Sequence, residues 1–406
     1  FLLFTGRRVF LYHAKCLVDL FYKYSQDVAL RITPGNTGNH GNNFELQRLI
    51  MIKTECFTRE WCEKVAIGLN YNDTQLIEKV VRALSLLEML VKSGCPFHFK
   101  GGTATMLLLG GATNRLSIDI DIICPPGTEI ERYLSSFKDF GFTKVDLVER
   151  KTPGKNIPKS HSKFFYQLAY TDRVSGEGYI LLDVLYEDCH YQNTVEIPIV
   201  SPFIEIEGEP LNVKVPSIAD ILGDKLTAFA PNTTGIPYYK KEKVCSVEII
   251  KQLYDIARLF DRIDNLEVTA RSFRQIVEVE MAYRDINNLE TVFDDILQTS
   301  ILIATRGKEG IGQFDVLQDG IKKIKSFIHT SNYHIDHAIV DSAKAAYIST
   351  CIRKGVTVIE KYPGTPDVVS EMTIAPTLTG KLNKLKRVFP EAFYYWAKTS
   401  QLMQGE

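Results

Sequence analysis

Two aspartates separated by one residue, Asp119 and Asp121, are the strongest chemical signal in this sequence. They lie within residues 117–123, where polar residues alternate with isoleucines, a pattern typical of a half-buried β-strand. Alternate residues of a strand point to one face, so the two carboxylates should lie side by side. Neighbouring carboxylates repel each other unless a cation lies between them, and oxygen ligands of this kind suit Mg²⁺. A surface hairpin with two solvated aspartates is the alternative, but the isoleucines indicate that the other face of the strand is buried.

A glycine turn precedes this strand. Gly101 and Gly102, followed by Thr103, can turn tightly with exposed amides, and the apolar run at residues 104–109 predicts a helix. Free N–H groups and the helix dipole at such a helix start favour an anion, so a triphosphate is a natural ligand. A glycine turn that feeds a helix, followed by a strand with Asp-x-Asp, is the layout of a metal-dependent nucleotidyltransferase. Each half alone is common, and only the combination is specific.

Asp183 is a candidate for a third acidic residue of the same site. It is the only charged residue in the apolar strand predicted over residues 179–186, and burying an acid is costly unless a metal or a hydrogen-bond partner meets it. Nucleotidyl transfer with two metals commonly uses a carboxylate from a neighbouring strand. The alternative, which the sequence leaves open, puts Asp183 on the solvent side of an edge strand.

Lys225 is a candidate for a phosphate contact. It lies at the edge of the inner stripe of a helix that begins after Ser217, a good N-cap residue. Its stem can lie on the core while its ammonium reaches a phosphate. An ordinary surface lysine is the alternative, but the irregular loop at residues 230–238, directly after the helix, favours a functional position.

Length and composition indicate an ordinary globular protein. The chain has 406 residues, enough for two domains, with 45% hydrophobic and 24% charged residues. A net charge of −1 gives no overall nucleic-acid signature, so any basic surface must be local. The eight cysteines form no Cys-x-x-Cys pair, which argues against zinc and a disulfide framework and predicts a reduced, cytoplasmic setting. Residues 1–24 are aromatic-rich but carry too many charges for a membrane span.

The remaining pattern predicts an α+β fold in two parts. Residues 1–50 contain an irregular linker and are expected to lie outside the functional fold, with Met51 as a candidate natural start. Residues 51–245 form the predicted nucleotidyltransferase domain, with helices at 57–68, 75–93 and 129–140 and further strands at 143–150 and 163–170. Residues 246–406 form a predicted helical domain, with helices at 247–260, 267–282, 290–305, 313–329, 335–354 and within 381–403. If the basic stripes on these helices converge beside the cleft, they would dock an RNA backbone.

The sequence resembles the AbiEii/AbiGii toxin family, nucleotidyltransferase-fold toxins of bacterial type IV toxin–antitoxin and phage abortive-infection systems. Four blocks carry the resemblance: residues 77–80, residues 99–103 with 115–121, residues 224–228 and residues 251–255. The last block departs from the family's Lys-Asp-x-x-Asp pattern, since Gln252 replaces its first aspartate and leaves Asp255 alone. The spacing between Thr103 and Asp119 is also longer than is usual in the family.

The resemblance implies a polymerase β-like nucleotidyltransferase fold, a mixed sheet with flanking helices followed by an α-helical C-terminal domain. It implies transfer of a nucleoside monophosphate from an NTP to an RNA acceptor, the 3′ end of tRNA, so that translation stops. It also implies a separately encoded antitoxin as a partner, and no membrane partner. Two alternatives remain: nucleotidylation of a protein or small-molecule hydroxyl, and a catalytically inactive binding protein.

The resemblance assigns roles to the charged candidates. Asp119 and Asp121, with Asp183, would hold Mg²⁺ or Mn²⁺, and Lys225 would neutralise charge on the triphosphate. Asp183 and Asp255 compete for the role of a further metal ligand or general base.

The glycine turn would hold the nucleotide. The backbone of residues 101–103 and the Thr103 hydroxyl would grip the β- and γ-phosphates, and Ser117 would either steady Asp119 or contact a phosphate. The residues expected to bind the nucleotide are Lys100, Gly101, Gly102, Thr103, Ser117 and Arg115.

Overall fold

A five-stranded mixed sheet carries the candidate site in the computed structural model, which describes residues 50–110, 113–148, 158–169, 176–329, 332–376 and 378–405. The strand order is β1-β2-β5-β4-β3, with β2 parallel to β5 and all other neighbours antiparallel. The predicted α+β class is confirmed, whereas the extension predicted over residues 1–50 falls outside the described residues except for Ile50. The strands are β1 (His98–Lys100), β2 (Ile120–Cys124), β3 (Lys144–Val148), β4 (Lys159–Gln167) and β5 (Glu177–Tyr186).

The two faces of this sheet differ in what covers them. Ile180, Leu182 and Val184 of β5 are buried in one core cluster with the apolar side chains of α2 (Thr74–Lys92), and α1 (Arg59–Leu69) packs on α2. Helix α2 begins where Asp73 caps it, because the Asp73 carboxylate accepts a hydrogen bond of 2.9 Å from the Leu76 amide. The odd-numbered residues of β5 point to the opposite face and include Asp183. That opposite face carries the site.

Strand β2 begins after Asp119 rather than at Ser117, because the segment ahead of it pairs elsewhere. The Leu116 amide donates a hydrogen bond of 2.7 Å to the Phe327 carbonyl, and Arg115 forms an isolated bridge with Ile328. The strand predicted over residues 117–123 is therefore correct only from residue 120 onward.

The helix predicted at residues 129–140 is wrong. The chain forms a single 3₁₀ turn at Ile130–Tyr133 and then a series of turns up to Gly141. Two consecutive serines at positions 135 and 136 and the glycine at 141 are poor helix formers. The Phe140 carbonyl instead accepts a hydrogen bond of 3.2 Å from the Ser85 hydroxyl of α2.

Short elements connect the sheet to the helical half. Helix α3 (Gly101–Leu109) follows β1 directly, and α4 (Ile218–Ala228) begins where the Ser217 side chain accepts a hydrogen bond of 3.2 Å from the Asp220 amide. The predicted cap at Ser217 is confirmed. The remaining strands form two small hairpins, β6 (Thr194–Pro198) with β7 (Asn212–Pro216) and β8 (Tyr239–Lys240) with β9 (Lys243–Val244).

Helices form the rest of the described chain. Helix α9 (Ile335–Lys354) is buried along almost its whole length and packs on α5 (Ser246–Phe260), α7 (Leu289–Ala304) and α11 (Pro390–Gln404). The helix predicted over 313–329 ends early and continues as a 3₁₀ turn at Ile324–Phe327. The helices are α5 (Ser246–Phe260), α6 (Glu267–Ala282), α7 (Leu289–Ala304), α8 (Phe314–Lys323), α9 (Ile335–Lys354), α10 (Leu385–Val388) and α11 (Pro390–Gln404).

The two halves share contacts through α5, which packs on α4 as well as on α9. The chain from Ile50 onward forms one compact unit, and the division into residues 51–245 and 246–406 stays a prediction. Within the ranges that the structure describes, no helix is both long enough and apolar enough to span a bilayer.

Candidate active site

Four polar side chains form a row across four strands of the sheet. Lys100 on β1 is the cross-strand neighbour of Asp121 on β2, and Asp121 is the neighbour of Asp183 on β5. Asp183 in turn pairs with His161 on β4, whose Nδ1 contacts the Asp183 carboxylate. Directly paired residues share a face, so these groups lie together on one surface. Because β5 has a partner on each side, the edge-strand alternative for Asp183 is wrong.

The glycine turn is packed directly on this row. Gly101 has a φ of +77°, the left-handed region, and a Cβ at this position would lie 2.0 Å from Oδ2 of Asp121. At Gly102 a Cβ would lie 2.5 Å from Oγ of Ser117. The missing side chains therefore let the start of α3 approach the carboxylate and the serine hydroxyl.

Thr103 fixes the backbone at the first aspartate. Its buried hydroxyl donates a hydrogen bond of 2.7 Å to the carbonyl oxygen of Asp119. Sequence reasoning expected this hydroxyl to grip a phosphate, but here its proton is engaged within the chain. The contact joins the helix after the glycine turn to the segment that enters β2.

A buried ion-pair group lies between α4 and α5. Arg115 donates from Nε and Nη2 to the two carboxylate oxygens of Asp255, each at 2.7 Å. The Lys225 ammonium lies 3.1 Å from Oδ2 of Asp255. Burial alone would raise the pKa of Asp255, but Arg115 and Lys225 hold that pKa below its ordinary value. Asp255 is thus a charged anchor for two cations and a poor proton acceptor.

Lys251 lies one helical turn before Asp255, on the same side of α5. Its ammonium lies 3.6 Å from the centre of the Phe327 ring. Burial, helped by Arg115 and opposed by Asp119, lowers the pKa of Lys251 to about 8. Gln252, which replaces the family's first aspartate, donates instead to the Glu248 carbonyl at 3.1 Å.

Lys100 is held in place by Asp224, which lies within α4, and by Tyr191, which precedes that helix. Its ammonium lies 3.5 Å from Oδ2 of Asp224 and 5.7 Å from the centre of the Tyr191 ring. The Tyr191 hydroxyl donates to the same Asp224 oxygen at 3.0 Å. Burial would lower the pKa of Lys100, but Asp224 and Tyr191 raise it well above its ordinary value, so the group stays charged.

The surroundings disfavour the charged forms of Asp121 in the row and of Asp119 just before β2. Burial raises the pKa of Asp121 to about 7, helped by Asp183 and Asp119 and opposed by Lys100 and Lys225. The pKa of Asp119 is also raised, chiefly by burial, and Lys251 opposes this. Carboxylates in this state fit a cation, which would favour their charged form.

Protein side chains alone would not complete the coordination shell of a cation at this site. Among the described residues, no group of three or more His, Cys, Asp or Glu side chains is arranged to hold a metal ion by itself. Mg²⁺ commonly binds through one or two carboxylates together with substrate phosphates. The Asp119 and Asp121 pair beside the glycine turn fits this mode.

Several neighbours of the row were missed by sequence reasoning. His161 gave no signal, because its place beside Asp183 depends on the register of β4 on β5. Lys251 carried two signals, its place in the family block at residues 251–255 and its spacing of four residues to Asp255 on a helix. Tyr191 gave no signal, and Asp224 had only its place in the family block at residues 224–228, since both meet Lys100 only in the folded chain.

Three residues of the basic stripes of the helical half are neutralised within the chain. Lys323 pairs with Asp319 at 2.9 Å, and Lys381 pairs with Glu309 at 2.6 Å. Arg353 bonds Asp294 at 2.7 Å. These paired residues offer little free charge for an RNA backbone.

A mixed sheet that carries paired carboxylates beneath a glycine turn defines a nucleotidyltransferase. Residues 84–329, more than half of the 406 residues, match the family described as nucleotidyl transferase AbiEii toxin, type IV TA system. The chain belongs to this family and is a nucleotidyltransferase toxin of a toxin–antitoxin system. The predicted family and enzyme class are confirmed. Membership implies an NTP substrate, an antitoxin and, typically, a divalent metal ion.

Three solved structures are similar to this chain at low identity. JHP933 from Helicobacter pylori is 16% identical, with a TM-score of 0.32 over 69% of this chain and 90% of that chain. The nucleotidyltransferase toxin MenT4 from Mycobacterium tuberculosis H37Rv is 14% identical, with a TM-score of 0.45 over 71% and 89%. A second H. pylori structure, a putative nucleotidyltransferase, is 16% identical, with a TM-score of 0.33 over 72% and 96%. None of these assigns a residue role to this chain, and no curated protein matches it.

Proposed function

We propose that this toxin transfers a nucleoside monophosphate from an NTP to an RNA acceptor, the 3′ end of tRNA, and so blocks translation. One observation supports the transfer step, and the RNA acceptor is proposed from the resemblance to the toxin family. The Asp121 carboxylate lies against Gly101, where a Cβ would be 2.0 Å away, and next to Asp183 in the row. An anion-binding turn and a pair of carboxylates therefore meet at one point, as transfer from a triphosphate requires.

The reaction balances without a further reactant. The 3′-hydroxyl oxygen of the RNA bonds to the α-phosphorus, the bond from that phosphorus to the bridging oxygen breaks, and pyrophosphate leaves. The hydroxyl proton passes to a base. A divalent cation, Mg²⁺ or Mn²⁺, held by Asp119 and Asp121 with Asp183 beside them, would neutralise phosphate charge and lower the pKa of the attacking hydroxyl.

We assign Asp183, not Asp255, as the third acidic residue. Both carboxylate oxygens of Asp255 already bond Arg115 or Lys225. The Asp183 side chain is 38% exposed and lies beside Asp121 in the row. His161 then acts as a positioning residue for Asp183.

The cations divide between substrate contact and support. Lys225 stabilises the charge that develops on the triphosphate, and Asp255 holds its ammonium. Lys100 and the amides of Gly101 and Gly102 bind the phosphates. Arg115, whose guanidinium is committed to Asp255, positions that anchor rather than binding the nucleotide. Ser117 lines the turn at Gly102.

The proposed setting follows from the toxin class. The enzyme acts on RNA in the cytoplasm. A separately encoded antitoxin limits its activity until phage infection triggers the abortive response. No membrane partner is involved.

The test incubates purified protein with total bacterial tRNA, Mg²⁺ and each α-labelled NTP in turn. Wild type should label tRNA with one NTP, and Asp121→Asn should lose the label because the carboxylate pair is broken. Asp315→Asn, a change of an exposed aspartate on α8, is the matched control and should label normally. If folded wild type labels no RNA in any lane, the RNA acceptor is wrong, and protein or small-molecule acceptors are tested next.

A further inference from the structure

The sheet face that carries Asp183 continues outward as a partly exposed patch of aromatic and basic side chains. Four residues from Asp183 along β5, Tyr179 pairs with Phe165 of β4, and Phe165 pairs with Lys144 of β3. Between this row and the row of Asp183, Leu181 pairs with Lys163. Residues at these spacings share one face.

These side chains contact one another. The rings of Tyr179 and Phe165 are 6.0 Å apart between centres. The Lys163 and Lys79 ammonium groups lie 4.8 Å and 6.0 Å from the centre of the Tyr179 ring, and Lys144 lies 5.2 Å from that of Phe165. We call the five residues Tyr179, Phe165, Lys163, Lys79 and Lys144 the aromatic platform.

The aromatic platform is partly exposed to solvent: Tyr179 and Lys144 are exposed, whereas Phe165, Lys163 and Lys79 are half-buried. Tyr179 is 43% exposed, while its neighbours Ile180 and Leu182 on the other face are buried. Lys144 is paired with Asp146 at 2.7 Å. In the ranges that the structure describes, neither Lys79 nor Lys163 has a carboxylate partner within ion-pair distance. The two cations beside Tyr179 are therefore available to an anion.

We propose that the aromatic platform binds the single-stranded 3′ segment of the RNA acceptor, with bases stacked on Tyr179 and Phe165 and phosphates near Lys79 and Lys163. The inference rests on the proposed function and names how its substrate is held. Single-stranded nucleic acids bind to surfaces on which aromatic rings alternate with lysines. Every base has a π-face that can stack on a ring, and every phosphate linkage carries a negative charge.

The distance to the carboxylate row fits such a segment. Four residues of strand separate Tyr179 from Asp183, which is roughly 13 Å at about 3.3 Å per residue. Stacked nucleotides rise by about 3.4 Å each. A stacked run of about four nucleotides would therefore reach from the aromatic platform to the reacting hydroxyl. The proposal thus predicts a requirement for an unpaired 3′ end.

The experiment measures RNA affinity apart from chemistry. A fluorescent RNA hairpin with four unpaired 3′ nucleotides, and the same hairpin with a blunt end, are titrated with protein in Mg²⁺ by anisotropy. Tyr179→Ala should weaken binding of the overhang RNA about tenfold and leave the blunt RNA unchanged, since one stacked base is lost. Tyr179→Phe keeps the ring and should bind like wild type. Lys163→Gln should lower the salt dependence by about 0.7 in the log–log slope.

Leu147→Ala is the control, because Leu147 is a 49% exposed apolar residue on the opposite face of the same sheet. It should change neither affinity, and all variants should keep wild-type melting and NTP affinity. Equal overhang affinity for Tyr179→Ala and wild type would overturn the proposal. So would loss of binding to the antitoxin with RNA affinity unchanged, which would make the face a protein-docking surface.

The labelling experiment tests the transfer proposal, and the binding experiment tests the aromatic platform, so that the failure of one can be told from the failure of the other. If wild type labels tRNA and Tyr179→Ala labels it with an unchanged KM, the aromatic platform is wrong and the transferase stands. If no RNA is labelled but overhang binding depends on Tyr179, the transfer proposal fails and the binding surface stands. Wild type that neither labels nor binds overhang RNA overturns both.

Discussion

Arg115 grips both carboxylate oxygens of Asp255 at 2.7 Å, in a region where neither side chain reaches solvent. The pair joins the loop before β2 to helix α5. It also leaves Asp255 charged, so that Lys225 has a fixed counter-charge at 3.1 Å. The helical half thus supplies the support for a lysine of the site.

Asp255→Asn should destabilise the fold by about 3–5 kcal/mol, because it leaves two buried cations without a counter-charge. Urea unfolding of wild type and variant at neutral pH measures this. Asp336→Asn is the control, since it breaks the pair of Arg306 with a half-exposed carboxylate and should change stability by less than about 1 kcal/mol. A similar small loss for both variants would show that the buried pair does not hold α5 in place.

Gly101→Ala should abolish nucleotidyl transfer. A Cβ there would lie 2.0 Å from Oδ2 of Asp121, so the carboxylate or the start of α3 must shift. The reaction rate in the labelling assay is the measurement.

Gly94→Ala is the matched control for this change. Gly94 has a φ of +72°, close to the +77° of Gly101, but a Cβ there meets nothing within 4 Å. It should cost only the backbone strain of about 1 kcal/mol and keep activity. Equal activity of the two variants would contradict the close packing of the turn on Asp121.

The sequence predicts the parts of the site that depend on local spacing. Asp121 is recognisable because it lies on a strand among apolar residues, and the glycine turn because the left-handed φ of Gly101 favours glycine. Asp119 lies one residue before β2, so strand spacing alone does not place its side chain. The capped helix that carries Lys225 is likewise a local pattern. These features need no knowledge of which strand pairs with which.

The rest of the site depends on long-range pairing that no local pattern encodes. His161 meets Asp183 only through the register of β4 on β5, and Arg115 meets Asp255 across 140 positions of sequence. The predicted helix at residues 129–140 does not form, because Gly141 and the two serines before it have weak helix propensity. The prediction rested on amphipathic spacing alone, which takes no account of that propensity. The use of Asp255 as an anchor, rather than as a base, could not be seen from its residue type.

Without metal, the contribution of Asp121 to the stability of the protein should fall as pH rises from about 4 to about 7. The folded state raises the pKa of Asp121 to about 7, above the ordinary carboxyl value of 3.8, so it keeps a proton that the unfolded chain has lost. The unfolded state binds fewer protons in this window, so unfolding becomes easier as pH rises, and the effect levels off above pH 7. Melting temperatures in EDTA at pH 5 and pH 8 measure it.

Asp121→Asn isolates the contribution of this carboxyl from other titrating groups. The variant should lose less melting temperature between pH 5 and pH 8 than wild type does. Added Mg²⁺ should raise the melting temperature of wild type at pH 8 and do much less for the variant, because the cation favours the charged carboxylate. An identical pH dependence in the two proteins would show that a group other than Asp121 binds the proton responsible for it.

His161→Gln should weaken the apparent affinity for Mg²⁺ in the labelling reaction by about 10- to 100-fold, as loss of a group that orients a metal-binding carboxylate commonly does. His161 contacts Asp183 through Nδ1, so its loss frees that carboxylate to rotate. The measurement is the Mg²⁺ concentration that gives half the maximal rate. Ser160→Ala is the neighbour control, since Ser160 bonds Tyr186 at 2.9 Å on the opposite face of β4 and should keep the wild-type metal requirement. A drop in rate for His161→Gln at every Mg²⁺ concentration, with the half-point unmoved, would mean that the histidine serves the acceptor or the fold and not the position of Asp183.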